Sequence, residues 1–295
     1  MKYEVVTQAV PFAEGPVWCD DGSLVITHLM PGCLRRINVG RGSSETFAHG
    51  PGGINAAQPA SDGGFVMTQN GGIDFAPLAK PLGLDPDSVP ALVPGTSGLQ
   101  RVDASGQVSF LADEGFRAPN DLIVDADGSI VFTDPPVLHG LPRADDPKVG
   151  RLWRYRTDAG LELLADGFSF DNGVALSPEG RILIVEGGGL LWVDPDGGQE
   201  WLAESTPGGG GDGFCFDVTG RIYVAQPGSQ SVSVLEPDGT LVDRFDTGGG
   251  VVTNCCFGGA DGRTLFTAEL APGRVLAFEG LPDPGLPIRR WPVPE

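Results

Sequence analysis

The chain has 295 residues, of which 46 are glycine and 26 proline, about a quarter of the total, so long helices are excluded. Hydrophobic residues make up 40% and are spread in short runs that can bury a large core, which excludes a disordered low-complexity chain. A formal charge of −20, from 19 basic against 39 acidic residues, repels phosphate backbones and anionic lipid surfaces, so neither nucleic acid nor membrane is an expected partner.

In chain order, a turn followed by a β run recurs six times: Asp21-Gly22 before 24–27, Asp62-Gly63 before 65–68, Asp127-Gly128 before 130–133, Glu179-Gly180 before 182–185, Thr219-Gly220 before 222–225 and Asp261-Gly262 before 264–267. Successive repeat glycines are 41, 65, 52, 40 and 42 residues apart, close to the length of a four-stranded propeller blade with two longer gaps. A further strand pair is predicted after each copy, at 34–39, 99–111, 151–164, 190–202, 231–245 and 274–278, joined by turns such as Asp194-Pro195-Asp196-Gly197. The expected fold is all-β: a six-bladed β-propeller, with residues 1–295 forming one domain. The longer gaps place inserted loops near 75–97 and 135–149, the second containing His139 and Arg143, at one end of the propeller. Five cysteines, two of them adjacent, form no disulfide framework and are expected to be reduced and buried. The start of the chain lacks a signal-peptide core and no apolar run nears membrane-spanning length, which predicts a cytoplasmic protein, a monomer or small homo-oligomer, acting on a small molecule.

Eight residues before each repeat glycine stand Glu14, Asn55, Asn120, Asn172, Asp212 and Asn254, all carboxylates or carboxamides. Asx turn chemistry accounts for one such position, but six at one offset, including a glutamate, call for another cause. The innermost strand of each blade begins near the propeller axis, so these side chains are expected to form an oxygen-rich ring at one end of the channel. Two anionic and four neutral oxygen donors, without His or Cys, suit one hard divalent cation, calcium first, with magnesium, manganese or zinc as alternatives.

Glu14-Gly15-Pro16-Val17-Trp18, Pro119-Asn120-Asp121-Leu122, Asp127-Gly128 running into Thr133-Asp134-Pro135-Pro136, Asp171-Asn172-Gly173-Val174, Gly211-Asp212-Gly213 and Cys256-Phe257-Gly258-Gly259 together resemble the senescence marker protein/gluconolactonase family. The resemblance covers most of the chain. It implies a six-bladed propeller with one divalent cation in its channel, held by Glu14, Asn120, Asn172 and Asp212, and a lactonase in which Asp212 is also the catalytic acid/base. Asn55 and Asn254 are then expected beside the metal as substrate or supporting contacts. Some members carry an arginine two residues before the third-blade asparagine to grip a sugar lactone; here that position is Ala118, with Arg117 the nearest arginine and a candidate substrate contact. Val137 stands where gluconolactonase-like members often have an aromatic, which points to a less polar substrate than gluconolactone.

The expected chemistry is ester hydrolysis in which the metal polarises the carbonyl and Asp212 handles the proton of water. The same architecture could serve another calcium-dependent ester or organophosphate hydrolase, or a non-catalytic ligand-binding propeller stapled by its metal. No Gly-x-Ser-x-Gly elbow is present, and the run 208–211 is a phosphate loop in composition only, better suited to a flexible approach to Asp212. Of the three histidines, His139 in the candidate mouth loop is the expected substrate contact, whereas His28 ends a repeat strand.

Overall fold

A computed structural model describes residues 1–8, 10–136 and 147–292. Among them the chain forms six four-stranded antiparallel sheets and one short 3₁₀ turn. Blade 1 holds Ala13–Trp18, Leu24–Leu29, Gly32–Asn38 and Ser43–His49; blade 2 holds Ile54–Pro59, Phe65–Gln69, Gly98–Val102 and Val108–Ala112. Blade 3 holds Leu122–Val124, Ile130–Asp134, Gly150–Arg156 and Gly160–Phe168; blade 4 holds Asp171–Leu176, Ile182–Glu186, Gly189–Val193 and Gln199–Ala203. Blade 5 holds Phe214–Phe216, Ile222–Gln226, Ser231–Leu235 and Leu241–Asp246. Blade 6 takes Val251–Gly258, Thr264–Ala271 and Val275–Phe278, and its outer strand is Glu4–Thr7 from the other end of the chain. The six-bladed propeller read from the repeats is therefore the fold; the strand that closes blade 6, which lies outside the repeat register, was not foreseen.

The six repeat glycines all lie between the first and second strands of their blades, with φ between 70° and 88°. That left-handed conformation costs glycine nothing and most other residues much more, so the tight turn recurs wherever the glycine does. Beyond each turn the second strand is apolar at consecutive positions. Ile130 and Phe132 pack toward blade 2, while Val131 packs toward blade 4. Six apolar clusters, one between each pair of neighbouring blades, are filled this way, so both faces of each blade are core. The adjacent Cys255 and Cys256 face the blade 5 and blade 1 clusters respectively, and all five cysteines are free, as expected from their spacing.

The first predicted insertion, residues 75–97, sits in a segment, 70–97, that is pinned rather than loose. Gly52 N–H donates to Val93 O at 2.7 Å, Gly95 N–H to Gly71 O at 2.9 Å, and Phe75 packs on Phe12 with ring centroids 5.1 Å apart. Most of the second, including His139 and Arg143, lies outside the described residues. Among the described residues no helix is long and apolar enough to cross a membrane.

Candidate functional site

The inner strands lose their regular ladder where the six ring positions fall. In blades 1, 2 and 4 the register slips between Glu14 and Val17, Ile54 and Ala57, and Asp171 and Val174, so the inner strand carries an extra residue opposite its neighbour. In blades 3 and 5 the ring residue precedes the strand, and its backbone N–H still reaches the second strand: Asn120 to Thr133 O at 2.8 Å and Asp212 to Ala225 O at 2.9 Å. The bulge needs small residues beside it. Gly15 has φ 39°, and a Cβ there would sit 2.6 Å from Asn55 O.

Two outer layers hold the bulges. Thr27 Oγ1 donates to Asn55 O at 2.6 Å, Thr68 Oγ1 to Asn120 O, and Thr133 Oγ1 to Asn172 O at 2.6 Å, so the second strand of one blade clips the ring residue of the next. At the following strand position sit Gln69, Asp134, Glu186 and Gln226, which grip the loops leading to the ring residues of their own blades. Gln69 accepts from Gly53 N–H at 2.8 Å; Asp134 accepts from Arg117 and Ala118 N–H, both at 2.8 Å; Glu186 accepts from Ser169 N–H at 2.8 Å; Gln226 donates to Gly209 O at 3.1 Å. Gln69 and Asp134 are thus committed to hydrogen bonds at the ends of their strands.

Five of the six ring residues converge on one cavity of about 710 Å³: Glu14, Asn55, Asn120, Asn172 and Asp212. The sixth, Asn254, turns its carboxamide down the channel. Its Nδ2 donates to Glu14 Oε2 at 3.1 Å and to both oxygens of Asp121 at 3.0 and 3.1 Å, while its Oδ1 accepts from Cys255 N–H at 2.8 Å. Asn55 donates to Asn120 Oδ1 at 2.6 Å and accepts from Asn70 at 3.0 Å, and Asn172 donates to Asp212. Asn55 and Asn254 are thus spent on bracing their neighbours. Glu14, Asn120, Asn172 and Asp212 line the cavity, and the buried Oδ1 of Asn172 has no hydrogen-bond partner among the described residues.

Asp121, which sequence reasoning passed over as mere context of Asn120, adds a third carboxylate, buried and bonded by Asn254. A signal for it was available. The residues following the ring positions are Gly15, Ala56, Asp121, Gly173, Gly213 and Cys255, so Asp121 is the one charged side chain in a column of small ones. Arg117, by contrast, is not among the described residues lining the cavity, although its backbone N–H is held by Asp134. Lys148 lines the rim, and the glycines 210 and 211 form part of the wall beside Asp212.

Glu14, Asp121 and Asp212 are electrostatically exposed to one another with no basic side chain within 4 Å among the described residues. Burial pushes the Glu14 carboxyl up to about 7, against hydrogen bonds from Gly15 and Asn254 that favour its charged form. Burial likewise raises Asp121, with Glu14 adding to it, and raises Asp212, with Glu14 and Asp121 adding to it. Uncompensated buried charge of this kind is costly. The donor set fits a hard divalent cation: two carboxylates would neutralise it, and two carboxamide oxygens, one of them orphaned, would complete an oxygen cradle. Among the described residues no three His, Cys, Asp or Glu side chains form a metal cluster on their own, so the carboxamides are integral to any such site.

The geometry can be set beside known proteins. A gluconolactonase of Zymomonas mobilis is 27% identical over 292 residues, spanning 89% of this chain and 77% of that protein. Among solved structures, a gluconolactonase from Xanthomonas campestris superposes with a TM-score of 0.73 at 24% identity, over 94% of this chain and 89% of the other. The calcium-binding protein regucalcin from Agrobacterium tumefaciens superposes with a TM-score of 0.77 at 17% identity, over 98% and 97%. The profile of the SMP-30/gluconolactonase/LRE-like region matches residues 12–269, which takes in all six ring positions. The chain belongs to the SMP-30/gluconolactonase/LRE-like family.

Proposed function

We propose that this protein is a divalent-metal-dependent lactonase whose site is the ring of Glu14, Asn120, Asn172 and Asp212, braced by Asn55 and Asn254. The observation that carries the reading is a floor of carboxylates with no basic side chain within 4 Å among the described residues, at the bottom of an open cavity, in a chain of this family. A bound calcium ion would offset the charge of Glu14 and Asp212 and polarise the lactone carbonyl. It would also favour the ionised form of Asp212, reversing the direction set by burial.

Asp212 is the side chain that handles the proton. Partly exposed at the cavity floor, its carboxylate accepts a proton from water as the water oxygen bonds to the carbonyl carbon. When the tetrahedral adduct collapses, the bond from carbon to ring oxygen breaks and Asp212 returns the proton to the departing alkoxide, leaving a hydroxy acid. Asn172 orients the Asp212 carboxylate through its side-chain hydrogen bond, and Asn254 does the same for Glu14.

The test is lactone hydrolysis followed by acid release, with and without chelator, in the wild type and in Asp212→Asn. Loss of a general base costs roughly 10²–10⁴-fold. The reading predicts a fall of that size in the variant together with weakened calcium binding by calorimetry. Full activity of Asp212→Asn with metal bound, or full wild-type activity after chelation, overturns it.

A further inference from the structure

The cavity above the ring is chemically two-sided. Its floor is the ring. One wall is built from Leu29, Ile73, Phe75, Leu78, Leu82 and Leu270, most of them from the 70–97 insertion. Leu29, Phe75, Leu78 and Leu270 are at most 5% exposed, so the wall is continuous with a packed core, and Ile73 and Leu82 face it half-buried. The main-chain bonds at Gly52 and Gly95, with the helical turns at Leu82 and Leu84, fix the wall before any ligand arrives.

The hydroxyls around the cavity are already committed. Ser169 Oγ donates to Glu186, and Thr253 Oγ1 donates to Ala13 O at 3.1 Å. The basic side chain among the described lining residues is Lys148, exposed at the rim. A polyhydroxylated ring pressed on this wall would surrender water at several hydroxyls without new partners, a penalty of roughly tenfold for each. An alkyl substituent on the same lactone would instead be drawn out of water. The volume of about 710 Å³ lies in the range that encloses a drug-sized ligand, well beyond a bare lactone ring.

We infer that the substrate is a lactone carrying an apolar substituent, an alkyl or aryl lactone, with its carbonyl over the ring and its substituent along the wall formed by the 70–97 insertion. The inference rests on the lactonase reading and narrows its substrate class.

The experiment compares D-glucono-δ-lactone with δ-lactones bearing methyl, propyl, pentyl and heptyl side chains, using the calcium-loaded full chain. The expected result is kcat/KM rising roughly threefold to fourfold per added methylene until the wall is covered. The pentyl lactone should exceed gluconolactone by at least about a hundredfold, and Leu82→Ser, alone and with Ile73→Ser, should flatten the chain-length series. Preference for gluconolactone, or no dependence on chain length while lactones are turned over, overturns the inference and leaves the lactonase reading standing. If no lactone is hydrolysed, the lactonase reading fails and the substrate inference with it, and calorimetric titration with the intact pentyl lactone decides the apolar subsite alone. Binding that weakens in the Leu82→Ser variant supports the apolar subsite, and absent binding or equal binding of gluconolactone overturns it.

Discussion

Two sets of buried carboxylates in this propeller have opposite surroundings. On the rim of the blades, Asp134 is fully buried yet receives Arg151 at 2.5 Å, Trp153 Nε1 at 3.2 Å and two backbone N–H groups, and Glu269 is held by Arg274 at 2.5 and 2.9 Å. In the channel, Glu14, Asp121 and Asp212 have carboxamides and one another but no cation among the described residues. Asp134 and Glu269 each have an arginine; the channel carboxylates have none within 4 Å among the described residues, and the proposed divalent cation would supply that missing charge.

Removing a rim carboxylate should therefore cost folding, and removing a channel carboxylate should not. Asp134→Ala strands Arg151 beside a buried vacancy and frees the loop before Asn120, so the unfolding free energy should fall by about 3–5 kcal/mol in urea titrations. A loss under 1 kcal/mol would remove the distinction between the two sets.

The converse variant is Glu14→Gln with Asp212→Asn. It removes mutual repulsion, so the chelator-treated variant should melt higher than the chelator-treated wild type, while calcium should no longer raise its melting temperature. The pH dependence sharpens this. The folded Glu14 carboxyl titrates near 7 against an ordinary 4.5, so the folded protein holds a proton that the unfolded chain has lost between those values. Stability present below about 4.5 is lost as the pH rises through 7, by up to about 3 kcal/mol in the metal-free protein. Glu14→Gln should reduce that slope in denaturation curves at pH 5 and 8, leaving the part that buried Asp121 and its neighbour Asp212 contribute.

The threonine clips offer an intermediate test. Thr133→Val leaves the buried carbonyl of Asn172 without its donor at a cost of about 1–2 kcal/mol, and it should weaken calcium binding because Asn172 is the side chain whose position the clip sets. The equivalent positions in blades 4 and 5 are already Val185 and Ala225, and Thr267 of blade 6 has no hydrogen-bond partner for its Oγ1 among the described residues, so the clip is made in blades 1–3.

The legible parts of the molecule were those that repeat. A turn glycine about every 40 residues marks the blades, and a fixed offset from it marks the ring, because the same backbone conformation has to be made six times. What broke the repeat was harder to read. Asp121 has no charged counterpart in the other blades, the strand Glu4–Thr7 joins a sheet assembled from the far end of the chain, and the wall around Phe75 and Leu78 lies in an insertion with no register to compare. The threonine clips repeat in sequence at 27, 68 and 133, but their partners belong to the next blade, a relation only the closed ring creates.

His28 stands in blade 1 where Gln69, Asp134, Glu186 and Gln226 stand in theirs, and it completes the rim set differently. It is 3% exposed, and its Nε2 has no partner among the described residues. Burial, with the nearby Arg35 adding to it, pulls the imidazole from 6.5 down to about 4, so it is neutral in the folded protein. Between those values the unfolded chain takes up a proton that the folded one refuses. The stability His28 supports is present above about 6.5 and lost as the pH falls toward 4, reaching about 3 kcal/mol at full extent. His28→Gln installs the residue that blades 2 and 5 already use and removes no Nε2 hydrogen bond, so at pH 7 the urea midpoint should correspond to a change within about 1 kcal/mol. At pH 4.5 the variant should unfold at higher urea than the wild type. An unchanged difference between the two proteins across this range would mean that His28 is already paired like the other rim groups, and the rim would then contain no acid-sensitive member at this position.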